Sequence, residues 1–330
     1  MLFTFCILAV FTSEVFTTDF GLLNQEHYDV YNAEAIYNQF YEKYGAQYNK
    51  EKTDHRLNVF KENLKKINKW NRESDSARFG VNQFTDLTFE EITRTYLGVR
   101  GNVSTNDAVL YTPKGLKGPE SLDYRQHGYV TPVKNQGQCG SCYAFGAIGD
   151  VEGQYAKLHQ TQAISLSEQQ VVDCDSHSFG CSGGWPHWVF QALVGEGGSM
   201  RQEHYPYEAV QGQCRSDRSK IAVRVTGGYE LKITSEDALK DALLQYGPLA
   251  IATYVGNQFF YYQGGVFNPT DCTEWGHALL LVGYGNDGMN DYWLIKNSWD
   301  TTWGEQGYMR LAMGQKACGI GAYVAHSIVA

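Results

Sequence analysis

The chain has 330 residues, 43% hydrophobic and 19% charged, a composition typical of a folded protein long enough for a large core and two lobes. Its 27 basic and 36 acidic residues give a net charge of -9. That balance argues against nucleic acid as a partner, because phosphate binding requires a basic surface.

The chain begins with a short apolar run, LFTFCILAVF, at residues 2–11. A bilayer span takes roughly 18 apolar residues or more, so we interpret the run as the core of a secretory signal peptide within residues 1–17. No Lys or Arg precedes it, and the terminal amine alone supplies the positive charge usual there. Because no other apolar run approaches the length of a span, we expect a protein of the secretory pathway without a membrane anchor.

The next segment predicts two helices separated by a short strand. In RLNVFKENLKKINKWN, which begins at Arg56, apolar residues recur at helical spacing and Lys and Glu occupy the other face. FGVNQFTDLTFEE then predicts a strand and turn, followed by a helix capped near Thr88. Residues 100–119 lack apolar periodicity, so we interpret them as a linker with a domain boundary near Gly118. The linker carries a candidate N-glycosylation site at Asn102, in the sequence Asn-Val-Ser.

The stretch NQGQCGSCYAF, residues 135–145, leads into another predicted helix. Apolar residues follow it at three- and four-residue spacing, with Ser141 as the expected N-cap and Cys142 in the first turn. The helix dipole favours a negative sulfur there, so Cys142 is a candidate thiolate nucleophile. Each glycine in this helix costs about 1 kcal/mol of helix propensity, which indicates close packing against another segment. These glycines are Gly146, Gly149 and Gly153.

Predicted helices dominate the first half of the second domain and predicted strands the second half. SLSE, residues 165–168, matches a capping box that would start a helix, GGWP at residues 183–186 precedes another, and Ser235 can cap a fourth. PLAIATY, HALLLVGYG, DYWLIKNSW and GYMRLAM then predict strands separated by turns. We therefore expect an α+β fold with two lobes and a site in the cleft between them.

The chain contains eight cysteines. If Cys6 leaves with the signal peptide, seven remain, and an odd number in an oxidising compartment leaves one unpaired, so three disulfides and one free thiol are the simplest account. The spacing Cys139-x-x-Cys142 also admits a redox pair or half of a zinc site. The nearest second pair of ligands, Cys174-x-x-His177, lies beyond the usual finger spacing, and a secretory signal favours disulfides.

A free nucleophilic cysteine needs a base and a group that orients the base. His277 opens HALLLVGYG and Asn297 closes the core of DYWLIKNSW, 135 and 155 residues after Cys142. The motif CGSCY followed by His and Asn at such distances resembles the papain and cathepsin signature. VTPVKNQGQCGSCYAF, SEQQVVDCD, GCSGGW, GHALLLVGYG and KNSWDTTWGEQGYMR also occur in family order. The chain thus resembles a papain-family cysteine peptidase of the cathepsin L-like kind.

The N-terminal part resembles the inhibitory propeptide of that family. Its ERFNIN-like and GNFD-like positions are Arg56, Phe60, Asn63, Ile67, Asn71, Gly80, Asn82, Phe84 and Asp86. The opening Glu of the first pattern falls on Lys52, with Glu51 one place off. The resemblance implies a helical propeptide at residues 18–117. It implies a papain-like domain at residues 118–330, with a helical left lobe and an antiparallel β-barrel-like right lobe.

The resemblance implies the catalytic roles. Cys142 is the nucleophile, and His277 takes its proton to give a thiolate–imidazolium pair and later protonates the leaving amine. Asn297 accepts a hydrogen bond from the second ring nitrogen, and Trp299, which also borders the substrate, shields that bond from water. The Gln136 side-chain amide and the Cys142 backbone N–H hold the oxyanion on the way to a thioester acyl-enzyme.

The resemblance also implies where substrate binds. Gly183 and Gly184 pair with the substrate backbone, which can lie close because no side chain intervenes. The S2 pocket is lined by Trp185, Pro186, Ala252, Trp275, Gly276 and Tyr323. Three large aromatic residues and no acid indicate a shallow apolar pocket, so we expect Val, Leu or Pro at P2 and discrimination against basic P2 residues. Tyr143 stands where the family usually has Trp, and we expect altered packing rather than loss of activity.

The family pairing implies three disulfides, Cys139–Cys181, Cys174–Cys214 and Cys272–Cys318. They use every cysteine except Cys6 and Cys142, in agreement with the count. The short interval between Cys181 and Cys214 leaves little room for a loop that blocks one end of the cleft, which favours endopeptidase action.

Expected partners are protein and peptide substrates, the chain's own propeptide as an intramolecular inhibitor, and cystatin-type inhibitors. We expect a monomer without cofactor or metal, delivered to the lysosome or to the extracellular space, such as a gut lumen. Acid is expected to trigger activation by neutralising Asp86 and neighbouring carboxylates, with cleavage near Lys117–Gly118. The alternative is a catalytically silent secreted homologue that acts as a binding or structural protein; such relatives typically lose the nucleophile, and Cys142 is present.

Overall fold

A computed structural model describes residues 20–45, 51–99, 108–269 and 271–330, except for the side chains of residues 274 and 275. The predicted signal peptide at residues 1–17, the glycosylation site at Asn102 and the side chain of Trp275 lie outside the described residues and stay predictions. Within the described ranges, no helix is long and apolar enough to span a membrane.

Three helices and a short strand form the N-terminal domain. They are α1 (Ala33–Tyr44), α2 (Asp54–Glu73), β1 (Arg78–Phe79) and α3 (Phe89–Tyr96). The apolar face of α2 is buried as its periodicity predicts, with the Phe60 ring 5.0 Å from Phe40 and 5.2 Å from Tyr37 of α1. The predicted cap of α3 is also confirmed, because Thr88 and Glu91 form a reciprocal capping box.

The C-terminal domain begins with a mainly helical lobe and continues into a mainly β lobe. The helices are α4 (Cys142–His159), α5 (Glu168–Cys174), α6 (Pro186–Glu196), α7 (Glu236–Tyr246) and α8 (Asn257–Phe260). Strand β2 (Val109–Leu110) lies in the segment before the domain boundary. The strands of the C-terminal domain are β3 (Leu122–Asp123), β4 (Ser199–Met200), β5 (Ile221–Val223), β6 (Val225–Lys232), β7 (Leu249–Val255), β8 (Tyr262–Gly264), β9 (Val266–Phe267), β10 (Glu274–Asn286), β11 (Asp291–Lys296), β12 (Tyr308–Ala312) and β13 (Tyr323–Val329). The predicted order of helices first and strands later is confirmed.

One large sheet organises the β lobe. Its strand order is β2-β6-β13-β7-β10-β11-β12-β9, with β3 also paired to β10. Only the pairs at the two ends of this order, β2 with β6 and β12 with β9, are parallel among the described strands. Strand β1 of the N-terminal domain pairs with β8, so the two domains share backbone hydrogen bonds.

Helix α4 packs directly on the β lobe through its glycines. A Cβ atom on Gly149 would lie 2.9 Å from Leu280 Cδ2, and one on Gly153 would lie 2.7 Å from Pro248 Cγ. Side chains at these positions would therefore push the lobes apart, as the predicted close packing requires. The glycine face brings the start of α4 to the strands that carry His277 and Asn297.

Two helices begin where the sequence predicts, but their N-terminal capping hydrogen bonds differ from the prediction. Ser141 occupies the N-cap position of α4, but its hydroxyl lies 2.6 Å from the Tyr207 hydroxyl and caps no helix N–H. Helix α5 is capped by Ser167, whose hydroxyl accepts from the N–H of Gln170 at 2.9 Å, so the predicted capping box starting at Ser165 is wrong. In both cases a tertiary hydrogen bond or ion pair takes the group that the local pattern assigned to capping.

Candidate active site

Cys142 and His277 lie close together at the junction of the two lobes. Cys142 Sγ accepts a hydrogen bond from the N–H of Ala278 at 3.4 Å and lies 4.0 Å from the Gly276 carbonyl oxygen, so it contacts both neighbours of His277. His277 Nε2 lies 2.7 Å from Asn297 Oδ1. Because an amide oxygen accepts, Nε2 carries the proton and Nδ1 is the unprotonated nitrogen. Nδ1 is buried and has no hydrogen-bond partner among the described residues, so the thiol does not donate to it in this arrangement.

Aromatic rings enclose the His277–Asn297 hydrogen bond. The Trp299 ring stacks on His277 with centroids 4.3 Å apart, and Phe259 meets the same imidazole edge-on at 5.9 Å. Trp299 is 1% exposed. The rings keep water from competing for the hydrogen bond that fixes the orientation of the imidazole.

Gln136 is positioned beside the sulfur by a residue that the sequence analysis did not identify. Its Nε2 donates to the Cys139 carbonyl oxygen at 2.7 Å, and its Oε1 accepts from the Ser298 hydroxyl at 2.7 Å. The N–H of Ser298 also donates to Asn297 Oδ1 at 2.7 Å. Ser298 thus orients both Gln136, the predicted oxyanion donor, and Asn297, which is predicted to orient His277. The only available signal was its place in the motif KNSW.

The end of the N-terminal domain runs through the cleft. Gln136 Nε2 donates to the Tyr96 carbonyl oxygen at 2.9 Å. The carbonyl oxygen of Gly98, two residues after Tyr96, accepts from the N–H of Gly184 at 2.8 Å. The N–H of the next residue, Val99, donates to the Gly276 carbonyl oxygen at 3.1 Å. The segment was missed from sequence because it has no periodicity and no catalytic residue type.

Gly98 lies directly against the sulfur. A Cβ atom there would overlap the Gly140 carbonyl oxygen and lie 3.1 Å from Cys142 Sγ. Gln136, the predicted oxyanion donor, contacts a different peptide unit, whose carbonyl belongs to Tyr96. A bond cleaved by Cys142 with Gln136 as oxyanion donor would have to place one carbonyl at both groups. The segment does not present a single carbonyl to the Cys142 sulfur and to Gln136.

Three of the six residues proposed to line S2 belong to one buried apolar cluster with Val99. Trp185, Ala252 and Tyr323 belong to this cluster, and the Trp185 and Tyr323 rings lie 4.8 Å apart. The Tyr323 hydroxyl accepts from the N–H of His187 at 3.1 Å. His187 therefore fixes the Tyr323 ring that would close the pocket, a role that no local pattern indicated.

Other predicted substrate residues lie along the same segment. Pro186 is the first residue of α6, and a Cβ atom on Gly276 would lie 2.7 Å from Leu97 Cδ1. Gly183 has φ 119°, and a side chain there would also overlap the Gly98 carbonyl oxygen. The glycines thus leave the space in which the extended segment lies.

Burial disfavours the charged form of both predicted catalytic groups while the segment is in place. Desolvation raises the pKa of Cys142 to about 11, and hydrogen bonds from nearby backbone N–H groups, that of Ala278 first, offset only part of this rise. Desolvation lowers the pKa of His277 to about 4, although its hydrogen bond with Asn297 acts to raise it. Removal of the covering segment and entry of water would therefore favour a thiolate–imidazolium pair.

The disulfides have the pairing that the resemblance implied. Cys139 is bonded to Cys181, Cys174 to Cys214 and Cys272 to Cys318. Cys142 is the free cysteine among those described. The spacing Cys139-x-x-Cys142 is therefore neither a redox pair nor half of a zinc site, since one of its sulfurs is already bonded elsewhere.

The N-terminal domain is also anchored to the β lobe through the GNFD-like segment, by contacts with Trp299 and with the backbone of Phe260 and Tyr261. The Phe84 ring meets Trp299 edge-on at 4.9 Å, and Asn82 Nδ2 donates to the Phe260 carbonyl oxygen at 2.8 Å. The N–H of Gly80 donates to the Tyr261 carbonyl oxygen at 2.9 Å. Both donors, Gly80 and Asn82, and the Phe84 ring belong to the GNFD-like segment.

This fold and cleft define a two-lobed cysteine protease with an inhibitory propeptide. The family described as "Papain family cysteine protease" matches residues 118–328, and "Cathepsin propeptide inhibitor domain (I29)" matches residues 37–92. The chain belongs to the papain family of cysteine proteases.

Named relatives agree with this assignment. The chain is 40% identical to the cathepsin L-like proteinase of Fasciola hepatica, covering 89% of this chain and 93% of that protein. It is 38% identical to the thiol protease aleurain of Arabidopsis thaliana, covering 88% and 83%. The solved digestive procathepsin L2 proteinase from Tenebrio molitor larval midgut is 34% identical with a TM-score of 0.79, covering 88% of this chain and 99% of that one.

Proposed function

We propose that this chain is the precursor of an endopeptidase that cleaves peptide bonds through Cys142, His277 and Asn297. The observation that carries the proposal is the free thiol of Cys142 beside His277, whose Nε2 is held by Asn297 at 2.7 Å, while the other described cysteines are paired. A silent homologue would have no need for an unpaired, sequestered thiol in this position.

The residues perform the reaction in two stages. Nδ1 of His277 takes the Cys142 proton, the thiolate attacks the scissile carbonyl, and the oxyanion is held by Gln136 Nε2 and the Cys142 N–H. The imidazolium then protonates the leaving amine, which gives a thioester. Water, deprotonated by the same imidazole, releases the acid and restores the thiol. Asn297 keeps the ring in place as its charge changes.

The test of the function is active-site labelling before and after acid activation. An epoxide-type thiol inhibitor is expected to modify Cys142 and abolish peptidase activity in the activated protein. In the precursor, the buried thiol with a pKa of about 11 should react far more slowly at pH 5 to 7. Mass spectrometry locates the label. An acid-treated protein without peptidase activity would favour the silent binding protein, whereas activity that survives complete labelling of Cys142 would exclude Cys142 as the nucleophile.

The P2 preference is proposed from the cluster around Val99. A propeptide Val packs with Trp185, Ala252 and Tyr323, so we expect substrates with Val, Leu or Pro at P2 to be cleaved best. A basic P2 residue would place an unpaired charge among aromatic rings, and we expect it to lower kcat/KM by about tenfold or more. A P2 peptide library measures this, and an Arg optimum would overturn the assignment.

Acid-triggered activation is proposed from the carboxylates of the propeptide, but Glu91 is not the trigger. Burial acts to raise the pKa of Glu91, but hydrogen bonds from Arg56, at 2.8 Å, and from Thr88 outweigh burial and lower this pKa to about 2. Because the pKa of Glu91 is lower in the folded precursor than its ordinary value of 4.5, the ionised carboxylate stabilises the fold at pH values above 4.5. This stabilisation is lost as the pH falls through about 2. The Arg56–Glu91 pair therefore persists at pH 4 to 5, and the proposal rests on the buried Asp86.

These assignments predict one effect of pH and one effect of mutation on the rate of precursor conversion. Precursor conversion should be faster in acid than in neutral buffer, and Glu91→Gln should speed it about tenfold at both pH values without removing the acid dependence. The rate of appearance of the mature chain on a gel measures both. Equal conversion of the unmodified precursor in acid and neutral buffer would contradict the Asp86 trigger.

The remaining assignments follow from the proposed enzyme. We place the signal peptide at residues 1–17, the propeptide at 18–117 and the peptidase at 118–330, with secretory delivery to the lysosome or the extracellular space. The family relative from a larval midgut is a digestive proteinase, which favours a gut lumen as one such destination. Cystatin-type inhibitors and a monomeric state are part of the same proposal.

A further inference from the structure

The segment that joins the propeptide to the peptidase is bound along the edge of the large sheet. Strand β2 pairs in parallel with β6, with Val109 opposite Leu231 and Leu110 opposite Lys232. The N–H of Tyr111 continues the pairing by donating to the Lys232 carbonyl oxygen at 3.2 Å. The segment therefore extends the sheet of the peptidase by one strand.

A single carboxylate on α7 then gathers the chain that follows. Asp241 Oδ1 accepts from the N–H of Lys114 at 2.8 Å, and Oδ2 accepts from the N–H of Leu116 at 2.7 Å. The Tyr111 hydroxyl also hydrogen-bonds to Asp241 and lies 2.9 Å from Gln245 Oε1. Charge-assisted hydrogen bonds of this kind are stronger than neutral ones, and three of them converge on one side chain.

Burial and the pKa of the carboxyl agree with a built binding site. Tyr111 is 5% exposed, with its ring edge-on to Tyr246 at 6.0 Å, whereas Leu116 is 44% exposed. Although burial acts to raise it, the hydrogen bonds from Tyr111 and from the backbone lower the pKa of Asp241 below its ordinary value. The site therefore holds one aromatic side chain and the backbone, and it stays ionised in mild acid.

The far end of the segment is also held. The Tyr284 hydroxyl donates to the Pro119 carbonyl oxygen at 2.9 Å, and a Cβ atom on Gly118 would overlap that hydroxyl. These partners, like Asp241 and Lys232, belong to the peptidase. The described contacts of the segment thus do not depend on the inhibitory helices α1 to α3.

We propose that Asp241 is the centre of a docking site for the chain's own linker, which keeps residues 109–117 on the peptidase after the inhibitory domain has left. The proposal rests on the proposed function, because the cuts are peptide-bond hydrolyses with water as co-reactant. The first cut falls on the N-terminal side of Val109. The bond between Lys117 and Gly118 is cut later, because a protease can reach it only when the docked segment opens.

The docking is tested without the chain's own activity. In a Cys142→Ala precursor, trypsin should cut the Lys114–Gly115 bond about tenfold faster when Asp241→Asn is added, since an amide cannot accept from all three donors. Tyr111→Phe, which removes one donor and keeps the ring, should have a smaller effect in the same direction. Asp237→Asn, an exposed acid on the same helix, is the matched control, and cleavage after the exposed Arg218 is the internal reference. Equal cleavage of Lys114–Gly115 with and without Asp241→Asn would overturn the docking site.

The maturation order is tested in the active chain by intact-mass analysis during acid activation. We expect an intermediate that begins before Val109, with a lifetime several-fold shorter in Asp241→Asn, followed by a form that begins near Gly118. A first product that already begins at Gly118, or equal lifetimes in the two chains, would overturn the order. A chain with no peptidase activity would instead contradict the proposed function, and the trypsin comparison would still decide the docking.

Discussion

Replacement of Cys142 by alanine is expected to lower kcat/KM for a peptide substrate by roughly 10⁵-fold or more, because the remaining groups can orient a peptide but cannot attack it. The change removes one buried sulfur, whose hydrogen bond from Ala278 is a weak one at 3.4 Å. The variant cannot process itself, so its propeptide must be removed by a trace of active enzyme before the assay. Hydrolysis of an internally quenched peptide then gives kcat/KM.

A second variant separates loss of the nucleophile from loss of the base. His277→Ala keeps the thiol, so a small alkylating agent should still modify Cys142 at pH 10, while labelling near pH 5 should fall with the loss of the imidazolium. Both variants should keep the three disulfides and a cooperative thermal transition. Retention of full activity by the Cys142→Ala variant would end the proposed mechanism.

Replacement of Gly98 by alanine is expected to weaken propeptide inhibition about 100-fold, because overpacking costs about 1–3 kcal/mol and the hydrogen bond from Gly184 adds about 1 kcal/mol when lost. The added methyl would overlap the Gly140 carbonyl oxygen and lie 3.1 Å from the Cys142 sulfur, so the segment must lift off. The measurement is the rate of epoxide labelling of Cys142 in the full precursor at pH 7.

The matched control is Gly195→Ala, since a Cβ atom at Gly195 in α6 would meet no atom within 4 Å. This change should leave the labelling rate of the precursor unaltered and slightly favour its helix. If the Gly98 and Gly195 variants are labelled at the same rate, the segment does not seal the cleft through contact at Gly98.

The sequence predictions that are confirmed depend either on neighbours within a few residues or on the number of cysteines. The apolar spacing of α2 and the helix cap predicted near Thr88 depend on neighbours within a few residues, and both are present. The odd number of cysteines required one free thiol, and Cys142 is free among those described. The prediction failed where a side chain had a local and a distant partner, as at Ser141, which bonds to Tyr207.

Residues that act through contacts distant along the chain have no recognisable pattern in the sequence. Ser298, His187 and Asp241 are ordinary polar residues in sequence, yet each fixes a group that is distant along the chain or belongs to another element. Their partners are known only after the strands are paired, because hydrogen bonding depends on ångström-scale placement and not on spacing along the chain.

The sequence by itself predicted the α+β order of elements, the inhibitory segment and the candidate nucleophile and base, since motif chemistry and hydrophobic periodicity act over short distances. The tertiary structure decided how the cleft is covered. It set Gly98 on the Cys142 sulfur and the Tyr96 carbonyl oxygen at Gln136, and it buried Cys142 and His277, which disfavours the charged form of each. Desolvation depends on everything packed around a group, which only the folded chain defines.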